Sequence, residues 1–191
     1  MCIRDSRKLM LIGTTHGGIF RSVDGGKTWT ENIAGPEMPA RLISRIDILF
    51  LKETGERRVI ATIAGSGVGK YLIERGPNGE LLDRGYSHVF LSHDAGDHWI
   101  DLDRTQLPDL AYHSCAIENN PPYRLFVGGD FGVFMLASLE SDNPEWINIT
   151  GNLPHAVVSD LVYHQADRTL TAATYGRAIW RLKIDESLAG F

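Results

Sequence analysis

An internal repeat constrains this chain more than any other feature. Gly18-Ile19-Phe20-Arg21-Ser22 returns as His88-Val89-Phe90-Leu91-Ser92, as Gly132-Val133-Phe134-Met135-Leu136 and as Ala178-Ile179-Trp180-Arg181-Leu182. The aromatic positions 20, 90, 134 and 180 are 70, 44 and 46 residues apart, so one interval carries about 25 extra residues. A period of this length means that one supersecondary unit is copied and stacked, because a unit so small cannot bury both of its faces alone.

Two further marks keep the same phase. Ser22-Val23-Asp24-Gly25-Gly26-Lys27-Thr28-Trp29 and Ser92-His93-Asp94-Ala95-Gly96-Asp97-His98-Trp99 both read SxDxGxxW, with the Trp nine residues after the aromatic. In the third unit Trp146 follows Phe134 by twelve residues across Ser141-Asp142-Asn143-Pro144, a degenerate copy with a longer turn. Met38-Pro39, Leu107-Pro108 and Leu153-Pro154 precede Ser44, Ser114 and Ser159 by five or six residues. Between these marks lie short runs rich in Val, Ile, Leu, Phe and Tyr: 41–50, 112–118 and 157–164, then 59–63, 125–127 and 170–173. Bounded by Gly, Pro, Asn and Asp, such runs read as strands, and no helical period competes with them.

Each unit therefore reads as strands A, B, C and D of one antiparallel sheet, with the SxDxGxxW segment turning C into D. The fold expected is all-β, a β-propeller of four-stranded antiparallel blades with about four blades present. The blades are expected near 7–35, 39–103, 108–150 and 154–185, with an insertion at 65–87. The first is expected to enter at strand B, near 9–14, and the last to lack strand D. Residues 1–6 resemble the translated end of a sequencing adapter and are set aside, so a fragment of a longer propeller is expected, with its remaining blades as partners.

The SxDxGxxW pattern resembles the Asp box, or BNR repeat, of sialidases, of sortilin-type VPS10 propellers, and of several glycoside hydrolase and photosystem-assembly propellers. The resemblance covers nearly all of the chain after Arg7. Ser22, Asp24, Gly26 and Trp29, with Ser92, Asp94, Gly96 and Trp99, are expected to be structural. Asp accepts backbone N–H bonds in such turns, Gly supplies positive φ, and Trp packs beneath. Sialidase chemistry, as the resemblance implies it, needs three arginines for a carboxylate and a tyrosine–glutamate pair. Fourteen arginines and six tyrosines leave room for such a set, but the early Phe/Tyr-Arg-Ile-Pro motif is absent, and Tyr123-Arg124-Leu125-Phe126 echoes it only in part.

A glycosidase needs two carboxyl groups about 5 to 10 Å apart. Strand A lines the channel of a propeller, so Asp47, Glu118 and Asp160 are the candidate catalytic residues, and Arg45, His113 and His164 are candidate binding residues. Which of them share a space depends on strand register. The insertion offers a second recognition set in Lys70, Tyr71, Arg75, Arg84 and Tyr86, because long loops on rigid scaffolds carry binding. Gly65-Ser66-Gly67-Val68-Gly69-Lys70 lacks the first Gly and the final Ser or Thr of a phosphate-binding loop. His88, His93 and His98 fall on different parts of a strand–turn–strand unit, so no metal and no cofactor are expected.

Composition narrows the function classes. With a net charge of −5 and no cluster of Lys and Arg, nucleic acid is a poor partner. No apolar run reaches membrane-spanning length, so membrane insertion by a helix is not expected. Two cysteines, Cys2 and Cys115, make no disulfide framework. The resemblance implies an exported scaffold that binds a carbohydrate or a protein. Its alternatives are a glycoside hydrolase, sialidase-like or xyloglucan-degrading, with part of its active site supplied by other sequence, and an assembly factor that binds another protein through an apolar patch.

Overall fold

A computed structural model describes residues 2–4, 8–36, 38–65, 74–75, 81–82, 87–103 and 106–185, of which 2–4, 74–75 and 81–82 by their backbone alone. Sixteen strands are assigned among them: β1 (Cys2–Arg4), β2 (Met10–Gly13), β3 (Ile19–Ser22), β4 (Leu42–Phe50), β5 (Arg57–Ala64), β6 (Glu74–Arg75), β7 (Leu81–Leu82), β8 (Val89–Ser92), β9 (Ile100–Asp101), β10 (Tyr112–Ile117), β11 (Leu125–Gly129), β12 (Gly132–Leu136), β13 (Trp146–Asn148), β14 (Val158–His164), β15 (Thr169–Thr174) and β16 (Ile179–Lys183). They form four successive sheets ordered β1-β2-β3, β4-β5-β8-β9, β10-β11-β12-β13 and β14-β15-β16, with β6-β7 as a small separate ribbon. Every pairing within them is antiparallel.

The sheets match the repeat closely. The two long intervening sheets are the second and third units, and β6-β7 lies in the insertion expected at 65–87. One difference concerns the first unit: β1 pairs with β2 through Cys2↔Ile12, Ile3↔Leu11 and Arg4↔Met10, within the segment set aside on sequence grounds. The physical reason is general, since a sheet edge such as that of β2 offers unpaired N–H and C=O groups to any short extended segment beside it. The first sheet also gains a fourth, irregular member, because Thr30 and Ile33 donate N–H bonds to the carbonyls of Arg21 and Ile19 at 2.9 and 2.8 Å.

Burial explains why the strands are so apolar. All five residues of β11 and all five of β12 are buried, as expected for a sheet covered on both faces. Three apolar clusters fill the layers between neighbouring sheets. Leu11, Ile43, Ile46, Ala61 and Phe90 join the first two sheets, Leu49, Ile60, Leu91, Tyr112 and Leu125 the second and third, and Phe126, Met135, Val158, Leu161 and Leu170 the third and fourth. Gly128 is required by this packing: a Cβ there would lie 2.5 Å from Val158 Cγ1 and 2.7 Å from Ser114 Oγ. Cys115, fully buried, is part of the second layer, and burial holds its thiol well above the ordinary value.

The inner strands β4, β10 and β14 each carry one register shift, between Ile43 and Arg45, between Tyr112 and Ser114, and between Val158 and Asp160. These bulges correct the sequence phase of one mark. His113, not Ser114, occupies the position of Ser44 and Ser159, while Ser114 is in register with Arg45 and Asp160. The extra residue between Pro108 and Ser114 already carried that offset.

Candidate functional site

The two SxDxGxxW turns are hydrogen-bonded alike. Ser22 Oγ donates to Asp24 Oδ1 at 2.8 Å and accepts the Gly26 N–H at 2.8 Å; Asp24 Oδ1 accepts the N–H groups of Lys27 and Thr28 at 2.9 and 3.0 Å. Ser92 Oγ donates to Asp94 at 2.8 Å and accepts the Gly96 N–H at 2.7 Å, while Asp94 accepts the His98 N–H at 2.9 Å. Positive φ falls on Gly25 and Gly26 at 79° and 90°, and on Ala95 and Gly96 at 60° and 105°. Asp24 is held far below the usual carboxylate range, chiefly by the Thr28 backbone and hydroxyl donors. Burial works to raise Asp94, but the donors of His98 and Ser92 together outweigh it and hold the carboxyl at about 2.

Two tryptophans, Trp99 and Trp146, tie the second and third sheets to the sheet before each. Trp99 Nε1 donates to the Ile33 carbonyl at 2.9 Å, and Trp146 Nε1 donates to the Leu102 carbonyl at 2.9 Å. Trp99 is 7% exposed, whereas Trp29 is 37% exposed. In the third unit Ser141 and Asn143 bond to each other in a local turn of a different kind.

Of the inner-strand candidates, the structure brings Arg45 and Asp160 together at 3.1 Å, from β4 and β14. Burial raises the carboxyl of Asp47, against the Ile48 N–H that its Oδ1 accepts at 2.9 Å and the charge of Arg45, both of which lower it. The others go elsewhere. Glu118 is buried between sheets three and four, accepting from Arg124 Nη1 at 3.1 Å and from the Tyr163 hydroxyl at 2.9 Å. His113 meets Asp130 at 2.8 Å, and His164 meets Asp167 at 2.8 Å on the exposed end of β14. His88 faces Asp109 at 3.2 Å while His98 faces Asp94 at 2.6 Å, so these two imidazoles serve different partners. In the insertion, Lys70, Tyr71, Arg84 and Tyr86 lie outside the described residues, as does the side chain of Arg75, whose backbone belongs to β6.

Sequence reasoning missed a cleft at the far ends of the inner strands. Ile48, Phe50, Leu51, Lys52, Glu53, Asn119, Asn120 and Tyr123 line a space of about 960 Å³, counted to its open mouth, between the β4–β5 and β10–β11 turns. Phe50 is 45% exposed at its edge, with the Arg57 guanidinium stacked 5.0 Å from its ring centroid. On the other side of the β10–β11 turn, Glu118, Asn120, Pro121, Arg124, Gln165 and Arg168 line a second space of about 600 Å³. Gln165 fixes that side by accepting the Asn119 N–H at 2.9 Å and donating to the Ile117 carbonyl at 3.0 Å. The run Asn119-Asn120-Pro121-Pro122 signals a turn in the sequence, but only the meeting of two such turns makes a cleft.

No protein-family model matches the sequence, and no curated protein does. Solved structures do match. A GH74 enzyme of Niastella koreensis superposes with a TM-score of 0.64 at 14% identity, over 93% of this chain and 26% of that one. An ancestral GH74 enzyme gives 0.59 at 17%, over 95% and 25%, and the GH74 xyloglucanase from Xanthomonas campestris gives 0.56 at 14%, over 92% and 27%. The chain thus spans about a quarter of the length of each of these structures. At such identities the likeness is one of fold: the four sheets are blades of a partial β-propeller.

Proposed function

We propose that this chain forms part of an exported, carbohydrate-binding propeller scaffold, and that the cleft between the β4–β5 and β10–β11 turns is its contact surface. The lining of that cleft carries the reading. A sugar presents apolar C–H faces and a rim of hydroxyls. Phe50 supplies an exposed aromatic ring, and Asn119 and Asn120 supply amides that both donate and accept, with Lys52 and Glu53 at the mouth. Export follows from the ligand class, because polymeric glycans are met outside the cytoplasm.

Engagement of the carboxylates speaks for binding over hydrolysis. Both oxygens of Glu118 are taken by Arg124 and Tyr163 in a buried setting, and Asp160 is paired with Arg45. A second reading, glycoside hydrolysis with part of the active site supplied by other sequence, is favoured by Asp47, whose burial-raised carboxyl suits a general acid. Fold likeness to a xyloglucanase makes xyloglucan oligosaccharides the first ligands to try.

The test is titration of such oligosaccharides together with an assay for new reducing ends. The binding reading expects saturable binding, no reducing ends, and at least tenfold weaker binding in Phe50→Ala and Asn119→Ala. Reducing ends that vanish in Asp47→Asn while binding persists would transfer the function to the hydrolase reading. Absence of binding to plant and bacterial cell-wall glycans would reject both.

A further inference from the structure

The seam between the third and fourth sheets differs from the two before it in what fills it. At the earlier seams an indole from the outer strand of one sheet reaches back to a carbonyl of the sheet before. The acceptors, Ile33 and Leu102, hold equivalent places, since their own N–H groups bond to the carbonyls of Ile19 and Val89 at 2.8 and 3.0 Å. Ile149 is the next in this series, with its N–H on the Val133 carbonyl at 3.0 Å. Its carbonyl is therefore placed where a third indole would donate.

Beside it the third and fourth sheets leave a narrow apolar cleft of about 460 Å³ including its mouth, lined by Val133, Ile149, Leu170, Ala172, Trp180 and Leu182 among others. Register maps these residues onto the wall around Trp146. Leu170↔Leu182 and Ala172↔Trp180 repeat Leu125↔Leu136 and Val127↔Phe134, while Val133 and Ile149 repeat Val89 and Leu102. All six counterparts belong to the buried cluster on which Trp146 packs. Next to the cleft, β16 pairs with β15 on one side, and among the described residues no strand pairs with its other side. An unpaired edge beside an apolar pocket is the arrangement that captures an added strand by main-chain bonds and one anchoring side chain.

We propose that this seam is a docking site for an extended polypeptide segment of the SxDxGxxW type, which pairs antiparallel with β16 and seats its tryptophan in the cleft with the indole N–H on the Ile149 carbonyl. The occupant is argued from continuity with the two seams already filled in this way, and its backbone replaces the role that β9 and β13 play in their own sheets. The proposal is independent of the glycan reading, which concerns the opposite ends of other strands.

A fluorescently labelled peptide with the sequence of residues 92–103 serves as the probe, titrated into the 191-residue chain and read by anisotropy. Saturable binding is expected, at least tenfold weaker for the peptide with Trp99→Ala, and at least tenfold weaker to protein carrying Leu182→Arg. Leu182 is 37% exposed, so the charge is tolerated, and a thermal melt checks the fold. Val23→Ala, at a residue 63% exposed and outside both clefts, serves as the control that leaves binding unchanged. Equal binding of the two peptides, or none at millimolar concentration, overturns the proposal. Self-association that Leu182→Arg abolishes also overturns it, because the seam would then belong to a second copy of the chain.

Discussion

Arg45 and Asp160 form a 3.1 Å ion pair between the second and fourth sheets, passing the third, whose inner strand holds Ser114 in register with both. The pair is 115 residues apart in sequence, and its two side chains are 27% and 49% exposed. Solvent screening limits its worth, so a double-mutant cycle of Arg45→Ala and Asp160→Ala in urea should give a coupling of about 0.5 kcal/mol and no more than about 1 kcal/mol. A coupling of zero would mean that the two side chains do not hold this geometry in solution.

Glu118 gives the opposite expectation. Its carboxylate and the Arg124 guanidinium are 7% and 5% exposed, so Glu118→Gln leaves a buried cation without its counter-charge. We expect a loss of about 3 to 5 kcal/mol in unfolding free energy, with glycan affinity unchanged in whatever fraction remains folded. A stable Glu118→Gln protein that had lost activity would assign this residue to chemistry instead.

The tryptophans should rank by what their indole N–H groups reach. Trp99→Phe removes the bond to Ile33 and leaves that carbonyl unpartnered in a buried seam, at a cost of about 1 to 3 kcal/mol. Trp146→Phe should cost a similar or smaller amount through Leu102, and Trp29→Phe little, since that residue is 37% exposed. Chemical denaturation of the three variants checks the order, and equal losses at all three sites would contradict it.

Much of this was readable in the sequence, and the reasons for the rest are physical. The SxDxGxxW turns act locally, within a single strand–turn–strand unit, and the aromatic period repeats that unit along the chain, so the four sheets follow from spacing. Partner choice along the inner strands does not. Arg45, Asp47, Glu118, His113, Asp160 and His164 look alike as polar residues on strand A, and one bulge per strand decides which meet. His113 consequently stands in the place of Ser44, and Glu118 is drawn into a buried lock with Arg124 and Tyr163. The cleft at Phe50 and Asn119 was invisible because its walls come from turns of different units. Strand β1 was missed because its residues were set aside on grounds that have nothing to do with pairing.

Asp103 should leave a signature in the pH dependence of stability. Burial raises its carboxyl to about 6, against the Leu107 and His88 N–H donors that lower it. Between about pH 4 and pH 6 the folded chain therefore binds more protons here than the unfolded chain, and this group's contribution to stability rises as pH falls through that window. His88 works in the opposite sense, because burial keeps its imidazole below the ordinary value and acidification charges it in the unfolded state first. The difference between wild type and Asp103→Asn isolates the carboxyl: wild type should gain on the variant on acidification from about pH 6 to pH 4, by at most about 3 kcal/mol. A flat difference would show that folding leaves the proton affinity of Asp103 unchanged.

A crystal of the chain soaked with a xyloglucan oligosaccharide tests the central claim most directly. The account predicts sugar density between Phe50 and the amides of Asn119 and Asn120, with the glycosidic bonds intact and the Glu118–Arg124–Tyr163 lock unchanged. Sugar bound instead over Asp47 and Asp160 with a bond cleaved would contradict it, as would a cleft that stays empty at saturating ligand.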